Sequence, residues 1–332
     1  MSDLKSLFLM GCMIVTGTLN TIFLSLQFSE VSLGLPYKHP WFQTQNMFIG
    51  ELYCLILYYI LKYFKHRNSS EENDKITADA ESETDETNQP SIFLLAIPAS
   101  CDFIASTLLA FALLNMATSV YQMFRGGLVL VTALLSVIFL GRKQYRHHLL
   151  GLFIVFISIF LIGLAGMVNH VPDANTRSTT FLGISMMGLS LLFTGVQFIV
   201  EEVFLSKYKM NPLKVVGLEG MWGSVFYLVA LIIIQNIRCD SFFGKVDVCS
   251  VNAIGEWRVE DSIFALQQIG HNGLLCFLVI AATFSIAFYN FFGVSVTKYA
   301  SSAQRAVVDN LRTILVPSKD SFYTSIRKLL LQ

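Results

Sequence analysis

Long apolar stretches alternate with short polar ones along almost the whole chain, and each stretch has the length of a membrane-crossing helix. A bilayer core about 30 Å thick needs about 20 apolar residues in an α-helix. We therefore expect an all-α, polytopic membrane protein. The pattern predicts nine helices, the last one cut short, at 6–28, 43–64, 92–114, 119–140, 148–168, 181–204, 212–235, 273–297 and 300–316.

Three polar stretches divide these helices into groups. Residues 65–91 are rich in Asp and Glu with few large apolar residues, which predicts a disordered acidic linker after the helices of 1–64. Helices three to five then occupy 92–168, and an incomplete second group occupies 181–316. The stretch between helices seven and eight is mixed and predicts a short surface helix near 262–269. Residues 317–332 form a divergent polar tail.

Charge and cysteine content narrow the class of protein further. Hydrophobic residues make up 54% of the chain, charged residues 14%, and the net charge is zero, so we expect the lipid bilayer as a partner and no nucleic acid. The six cysteines show no CxxC or Cys/His spacing for zinc, and we expect no metal or other cofactor. Cys239 and Cys249 share one polar loop, where they either form a disulfide or stay free.

Basic residues predict the orientation. Lys and Arg concentrate in the loops that share a side with the N-terminus, for example around Arg142–Arg146 and Lys207–Lys214, so we expect the N-terminus in the cytoplasm. The glycosylation sequon at Asn68 then faces the cytoplasm and should remain unmodified.

The two halves of the chain resemble each other. The segment that starts at Ile97 aligns without gaps on the segment that starts at Ile280, and Glu51 aligns on Glu219. Helices two to four thus match helices seven to nine, and an odd number of helices per repeat inverts the second copy in the membrane. Inverted repeats are typical of secondary transporters, whose site lies between the halves near the bilayer midplane. Chance similarity between apolar helices is the alternative.

Polar residues inside the helices carry a resemblance to a known family. The matching segments are Val15-Thr-Gly-Thr-Leu-Asn20, Met47-Phe-Ile-Gly-Glu51, Phe124-Arg-Gly-Gly127, Ser136-Val-Ile-Phe-Leu-Gly-Arg-Lys143, Glu201-Glu202, Val216-Gly-Leu-Glu-Gly220, Ser285-Ile-Ala-Phe-Tyr-Asn290, Ser295-Val-Thr-Lys298 and Asp309-Asn-Leu-Arg-Thr313. In these the chain resembles solute carrier family 35, the nucleotide-sugar-transporter group of the drug/metabolite transporter superfamily. The resemblance implies an inverted five-helix repeat, a small-molecule organic substrate, and an endomembrane location, lysosomal or Golgi, with mitochondria as the alternative.

The resemblance also implies a tenth helix. After Ile314 the chain continues with polar residues that do not form a membrane segment, so we expect the last helix or so of the family fold to be missing here. Two functions follow. The first is secondary-active transport of an organic solute, possibly nucleotide-sugar-like or another organic anion, by alternating access. The alternative is a truncated, non-transporting membrane protein that acts through protein partners. No motif of an intramembrane enzyme is present, and we expect no enzymatic activity; oligomeric state is left open.

Ionisable side chains at bilayer depth are costly and mark function or pairing. Counting 1.5 Å per residue from the predicted helix starts, we expect Glu51 and Arg125 to pair about 12 Å from one side of the membrane. By the same count, Glu219 and Arg305 pair about 8–10 Å from the other side. One pair on each side suggests two gates of a transporter. The alternative is that each pair only neutralises buried charge.

Three further residues complete the set of candidate substrate or gating residues. Asp102 lies near mid-membrane, where it contacts substrate or a proton, or makes a hydrogen bond to a neighbouring helix. Lys298 offers a cation for an anionic substrate. Asp309 lies one helical turn after Arg305, so the two can neutralise each other. Glu201 and Glu202 lie near a helix end and close to lysines, and we interpret at least one of them as a charge in partial contact with water.

Overall fold

The computed structural model describes residues 2–37, 39–68, 91–115, 118–143, 145–169, 174–236, 250–251 and 257–315. Most of the predicted acidic linker, the sequon beyond Asn68, the cysteines Cys239 and Cys249 and the polar tail lie outside these residues. The predictions made for them therefore remain predictions.

The described chain is almost entirely helical. Its α-helices are α1 (Ser2–Ser29), α2 (Pro40–Asn68), α3 (Ala96–Asn115), α4 (Thr118–Phe124), α5 (Leu128–Leu140), α6 (Arg146–Asn169), α7 (Ala174–Lys207), α8 (Pro212–Ile234), α9 (Ser262–His271), α10 (Gly273–Tyr299) and α11 (Ser302–Leu315). Single 3₁₀ turns at Ile92–Leu95 and Arg125–Gly127 precede α3 and α5. Two antiparallel two-stranded hairpins pair β1 (Val31–Ser32) with β2 (Leu35–Pro36), and β3 (Ser250–Val251) with β4 (Trp257–Arg258).

This architecture confirms the all-α polytopic class. Within the described ranges, six helical segments are long and apolar enough to cross a membrane. They are Leu4–Ser29, Pro40–Arg67, Ile92–Leu109, Phe181–Lys207, Pro212–Ile234 and Gly273–Tyr299. Two shorter apolar helical stretches, Arg125–Leu140 and Arg146–Leu161, accompany them.

Two predicted helices differ in character from the expectation. The helix predicted at 119–140 is two α-helices joined by the 3₁₀ turn at Arg125–Gly127, where consecutive glycines, Gly126 and Gly127, weaken α-helical continuity. The helix predicted at 300–316 is amphipathic, with Arg305 and Asp309 buried on its inner face and Val307 and Leu311 exposed.

The outer faces of the helices are apolar. On α6 the side chains of Leu150, Phe153, Phe156 and Phe160 are all exposed. In water such a surface would be unfavourable, but hydrocarbon accepts it, and polar side chains turn inward instead. The packing therefore has the polarity expected of a protein with lipid as its solvent.

The main interfaces each join a helix of the first half to a helix of the second half. The most extensive interfaces join α3 to α7, α1 to α10, and α2 to α8. Under the predicted repeat, α1 corresponds to α7 and α3 to α10, so the first two interfaces are copies of each other. The third joins α2 to its own counterpart, α8, and therefore lies on the twofold axis that relates the two halves. Hydrogen bonds follow the same scheme. Ser190 Oγ on α7 donates to Ala105 O on α3, and Ser285 Oγ on α10 donates to Thr16 O on α1, each at 2.8 Å.

Glycines allow α2 and α8 to cross closely. A Cβ atom on Gly217 would lie 2.5 Å from the Leu55 backbone, and one on Gly220 would lie 2.5 Å from Glu51 Cβ. Small residues at a membrane helix interface permit this approach of backbones. The crossing places Glu51 and Glu219, the acids that the repeat aligns, on neighbouring turns of the two central helices.

Candidate functional site

Four carboxyl groups and one guanidinium meet inside the bundle. Glu51 comes from α2, Asp102 from α3, Glu201 from α7, Glu219 from α8 and Arg305 from α11. Both halves of the chain thus contribute, and the carboxyls lie near enough to one another for their charges to interact. We call these five residues the central cluster. Glu51, Glu201, Glu219 and Arg305 are at most 4% exposed.

Arg305 is held from three sides. Its Nη1 donates to Glu201 Oε2 in a buried ion pair. The guanidinium carbon lies 3.8 Å from the centre of the Phe198 ring, which gives a cation–π contact. Behind it, a Cβ on Gly293 would lie 2.8 Å from Arg305 Nε, so glycine leaves the room that the guanidinium occupies. Charge, ring and backbone together fix this cation in one position.

Two amides lie beside the other carboxyls. Gln197, one turn before Glu201 on α7, is close to both Asp102 and Glu201. Asn290 Nδ2 on α10 donates to Glu51 Oε1. Asp102 thus lies beside Gln197 of a neighbouring helix, and both of its predicted roles remain predictions.

A second ion pair lies beside the central cluster. Arg125 Nη2 in the 3₁₀ turn is 3.6 Å from Asp309 Oδ2 on α11, and Tyr289 on α10 donates its hydroxyl hydrogen to the same carboxylate. Asn310 Nδ2 donates to Gly126 O at 3.3 Å and ties α11 to the turn. This pair joins the first half of the chain to the second.

Two more cations occupy the end of the bundle where α7 finishes and α8 begins. Arg142 Nη2 pairs with Glu202 Oε1, whose other oxygen accepts from the backbone N–H of Ser302 at the start of α11. Lys298 Nζ donates to Met210 O at 2.9 Å. Lys298 therefore holds the α7–α8 connection and does not join the central cluster.

The predicted pairs are wrong in their partners. Arg125 pairs with Asp309 instead of Glu51, and Arg305 pairs with Glu201 instead of Glu219. One reason is that α2 begins at Pro40, earlier than predicted, so Glu51 lies deeper by about 1.5 Å for each added residue. The other is that Arg125 lies in a 3₁₀ turn, where the α-helical rise used for the count does not apply.

Sequence reasoning misjudged Glu201 and Glu202 and overlooked two amides. Glu201 and Glu202 are buried and paired, contrary to the prediction of contact with water. Gln197 and Asn290 were not considered as site residues. A usable signal was present, because Gln197 and Glu201 are four residues apart and so share one face of α7.

A separate polar cluster closes the opposite end of the bundle, where α1 finishes. The turn between β1 and β2 has positive φ at Leu33 (56°) and Gly34 (78°), as a tight hairpin requires. This hairpin packs on α9, an amphipathic helix capped by Asp261 Oδ1, which accepts from Phe264 N at 2.9 Å. We call the hairpin, His39, Glu260 and α9 the plug.

Hydrogen bonds fix the plug's histidine. Gln268 Nε2 donates to the carbonyl oxygens of Ser32 and Leu35, at 3.0 and 3.2 Å, so its Oε1 faces His39 Nε2 at 3.1 Å and must accept from it. His39 Nδ1 lies 2.5 Å from Glu260 Oε1. One proton bridges this contact, and the His39–Glu260 pair is neutral as a unit whichever atom carries it.

Tyr37 packs against this pair. Its ring centre lies 5.2 Å from that of His39, and it is fully buried with Ala265, Leu275 and Val279. Burial raises the pKa of the Tyr37 phenol above its ordinary value, and the nearby Glu260 carboxylate raises it further. The fold therefore holds Tyr37 in its neutral form.

Comparisons with known proteins find similarity to solute transporters. A family model described as nucleotide-sugar transporter matches residues 2–209. Among curated proteins, solute carrier family 35 member F6 of Mus musculus is 32% identical over 317 residues, and that of Pongo abelii 31% over 316 residues. Each alignment spans 93% of this chain and 80% of the relative.

Proposed function

The chain belongs to the nucleotide-sugar transporter family, and from that premise we propose that it is a secondary-active transporter that carries a small organic solute by alternating access. The central cluster is its substrate site. The observation that carries the proposal is the meeting of buried ionisable side chains from both halves at one place, on Glu51 and Asp102 from the first half and Glu201, Glu219 and Arg305 from the second. Such groups inside a membrane protein mark substrate or ion pathways.

Contacts between the halves supply the elements that must open. His39–Glu260 joins them at the plug, Arg125–Asp309 joins them beside the central cluster, and Arg142–Glu202 joins them at the far end. An ion pair that separates when one end opens and re-forms when it closes is a two-state element of the kind alternating access needs. The gating role predicted for Arg125 and Asp309 is kept in this form, with each as the other's partner.

Uptake into liposomes tests the proposal. The full chain is reconstituted and offered four labelled solutes that differ in charge: a nucleotide sugar, a carboxylate, a neutral sugar and an amine. We expect saturable uptake of one class, and loss of that uptake in Asp102→Asn, which keeps the size of the side chain. Glu30→Gln, just after the end of α1 and remote from the cluster, is the matched control and should transport normally.

Two outcomes count against the proposal, the first against transport and the second against the central cluster as the substrate site. No saturable uptake of any of the four solutes by well-folded protein would favour the alternative of a non-transporting protein that acts through partners. Uptake that survives Asp102→Asn, Glu51→Gln and Glu219→Gln would place the substrate elsewhere in the bundle.

We also propose that the N-terminus faces the cytoplasm and that the protein resides in an endomembrane, lysosomal or Golgi. The orientation is supported by the concentration of Lys and Arg in the loops on the N-terminal side, and the location by the family resemblance alone. An engineered glycosylation sequon in the β1–β2 turn should then be modified in cells, and one at the N-terminus should not. Glycosylation of the N-terminal sequon and not of the one in the turn would show that the N-terminus faces away from the cytoplasm.

A further inference from the structure

The charges of the central cluster do not balance. Of its five ionisable side chains, four are carboxyls and one is a guanidinium, and Arg305 already forms an ion pair with Glu201. The neighbouring cations within the described residues are engaged elsewhere, Arg125 with Asp309, Arg142 with Glu202 and Lys298 with Met210 O. Several carboxylates buried together without cations are strongly unfavourable in low dielectric. Glu51, Asp102 and Glu219 therefore need protons or an added cation.

Unsatisfied oxygens mark where that positive charge belongs. Glu51 Oε2, Glu201 Oε1 and Glu219 Oε1 are buried and have no hydrogen-bond partner among the residues that the structure describes. Each belongs to a side chain that is at least nine-tenths buried. Buried carboxylate oxygens without a donor are rare, because each costs its full desolvation free energy. Three of them within one cluster of interacting charges favour a ligand that supplies several N–H donors.

Side chains next to these oxygens remain partly accessible. Asp102 and Asn290 face buried groups on neighbouring helices, yet both retain accessible surface. Arg125 is 23% exposed although its partner Asp309 is buried. These three side chains beside the central cluster are therefore not fully enclosed by the described helices.

The spacing of the carboxyls argues for an organic ion. Within the described part of the chain, no three His, Cys, Asp or Glu side chains converge closely enough to hold a metal ion. The carboxyls instead lie on α2, α3, α7 and α8, around a volume that an extended cation spans better than a single ion. Amines and guanidinium groups present several donors, and guanidinium matches carboxylate geometry in pairs.

We propose that the central cluster binds an organic cation carrying amine or guanidinium groups, and that binding displaces protons from its carboxyls. This rests on the proposed transport function and names its substrate class. An anionic nucleotide sugar fits this site poorly, because its phosphates would face Glu51, Asp102, Glu201 and Glu219 with one paired arginine among them. Charge stays balanced in this exchange, because each carboxyl that releases its proton to the solution gains an N–H donor and a positive charge from the cation.

Binding to the solubilised full chain tests the substrate class without an identified substrate. Agmatine, which carries one amine and one guanidinium, is the probe, and UDP-glucose is the anionic comparison. We expect agmatine to raise the unfolding temperature, more at pH 8 than at pH 6, and to release protons into weakly buffered solution. The groups that face the site and set this pH dependence are the five of the central cluster, Cys54, Cys101, Tyr289 and the Arg125–Asp309 pair.

Glu219→Gln separates a binding role from a structural one. Among the described residues the Glu219 side chain forms no ion pair, so its neutral isostere should fold as well as the native residue. Loss of one charge-assisted hydrogen bond should weaken agmatine binding by about 10- to 100-fold, while Glu30→Gln leaves it unchanged. If Glu219→Gln fails to fold, Asp102→Asn serves in its place.

The outcomes distinguish the cation from the transport function. Stabilisation by UDP-glucose and not by agmatine overturns the proposal that the central cluster binds a cation. Agmatine binding that is equal in Glu219→Gln, Asp102→Asn and native protein overturns it as well. Uptake of a neutral or anionic solute with no effect of agmatine also overturns it and leaves transport standing. Agmatine binding without uptake of any solute would support the cation site and count against transport.

Discussion

The molecule contains two buried polar clusters that differ in one respect, the balance of charge. In the plug, His39 and Glu260 share a proton, so their charges balance, and Gln268 is held by two backbone carbonyls. Glu260 Oε2 is itself a buried oxygen without a hydrogen-bond partner in the described chain, so it is the charge balance that distinguishes the plug. In the central cluster, one guanidinium faces four carboxyls, and three carboxyl oxygens have no donor within the described chain. Both clusters are deeply buried and both join the two halves of the chain.

The difference separates a contact that holds one end of the bundle closed, the plug, from a site that needs a ligand, the central cluster. A balanced, hydrogen-bonded pair costs little to keep buried, because each charge is compensated by its partner, and it holds its elements in one arrangement. An unbalanced cluster destabilises the protein unless something else binds there, and such residues persist at functional sites. The plug therefore stabilises the conformation in which its end of the bundle is closed, and the central cluster needs a ligand to balance its charge.

Arg305→Met gives the largest expected effect. It removes the guanidinium on which Glu201 depends and leaves four carboxyls near Phe198 without a cation. Breaking one side of a buried pair costs about 3–5 kcal/mol, so we expect a large drop in the unfolding temperature of the solubilised protein and in its yield.

The double variant Arg305→Met with Glu201→Gln is the control for Arg305→Met. Removing both charges of the pair should recover most of the lost stability, because the penalty arises from the uncompensated carboxylate. Failure to recover would mean that the cation–π contact with Phe198 or the fit against Gly293 holds α11, and the charge argument would be wrong.

Glu260→Ala tests the plug in the same way. His39 Nδ1 loses its partner inside a fully buried site, which should cost about 3 kcal/mol in the free energy of unfolding. Glu260→Gln should cost much less, since its amide N–H can donate to Nδ1 of neutral His39 while Nε2 still donates to Gln268. Equal costs for Ala and Gln, measured by denaturant unfolding, would show that the plug needs a charge and not merely a hydrogen bond.

The sequence predicted the helices better than the contacts between them. Apolar runs such as Gly273–Tyr299 are long enough to determine a membrane helix by themselves. A pairing between helices depends on depth and rotation together, and an error of three residues in a helix start moves a side chain by about 4.5 Å along the axis and about 300° around it. The predicted Glu51–Arg125 pair failed for this reason.

The plug shows a second limit of sequence reasoning. His39 and Glu260 lie in polar connections, 221 residues apart. Neither belongs to the internal repeat from which the paired charges were predicted. The burial of Glu201 was mispredicted for a different reason. Its distance from Lys207 suggested a helix end in water, but α7 continues to Lys207 and its inward face carries Glu201 to Arg305.

Gly220→Ala tests whether the central cluster depends on the close crossing of α2 and α8. The added methyl would lie 2.5 Å from Glu51 Cβ and 2.6 Å from Leu52 N, so the helices must separate. Overpacking of this kind costs about 2 kcal/mol. Gly188→Ala on α7 is the matched control, because nothing in the described chain lies within 4 Å of its added Cβ. A Gly220→Ala variant as stable as Gly188→Ala would show that the crossing is looser than the structure has it.

Tyr37→Phe gives the smallest effect and examines the plug through pH. The pKa of Tyr37 is raised in the folded protein, by burial and then by Glu260, whereas in the unfolded chain it is about 10. Below pH 10 both states keep the proton and pH has no effect through this residue. Above pH 10 chiefly the unfolded chain releases it, so the native protein should be about 1.4 kcal/mol less stable at pH 11 than at pH 8 through this residue.

The Tyr37 hydroxyl has no hydrogen-bond partner among the described residues, so Tyr37→Phe should match native stability at pH 8 and then lose less as pH rises. Unfolding temperatures at pH 8 to 11 would show this difference. Tyr63→Phe, at an exposed ring on α2, is the control and should follow the native profile. Parallel profiles for Tyr37→Phe and native protein would mean that the plug admits water, and the contrast between a closed plug and an open central cluster would lose its physical basis.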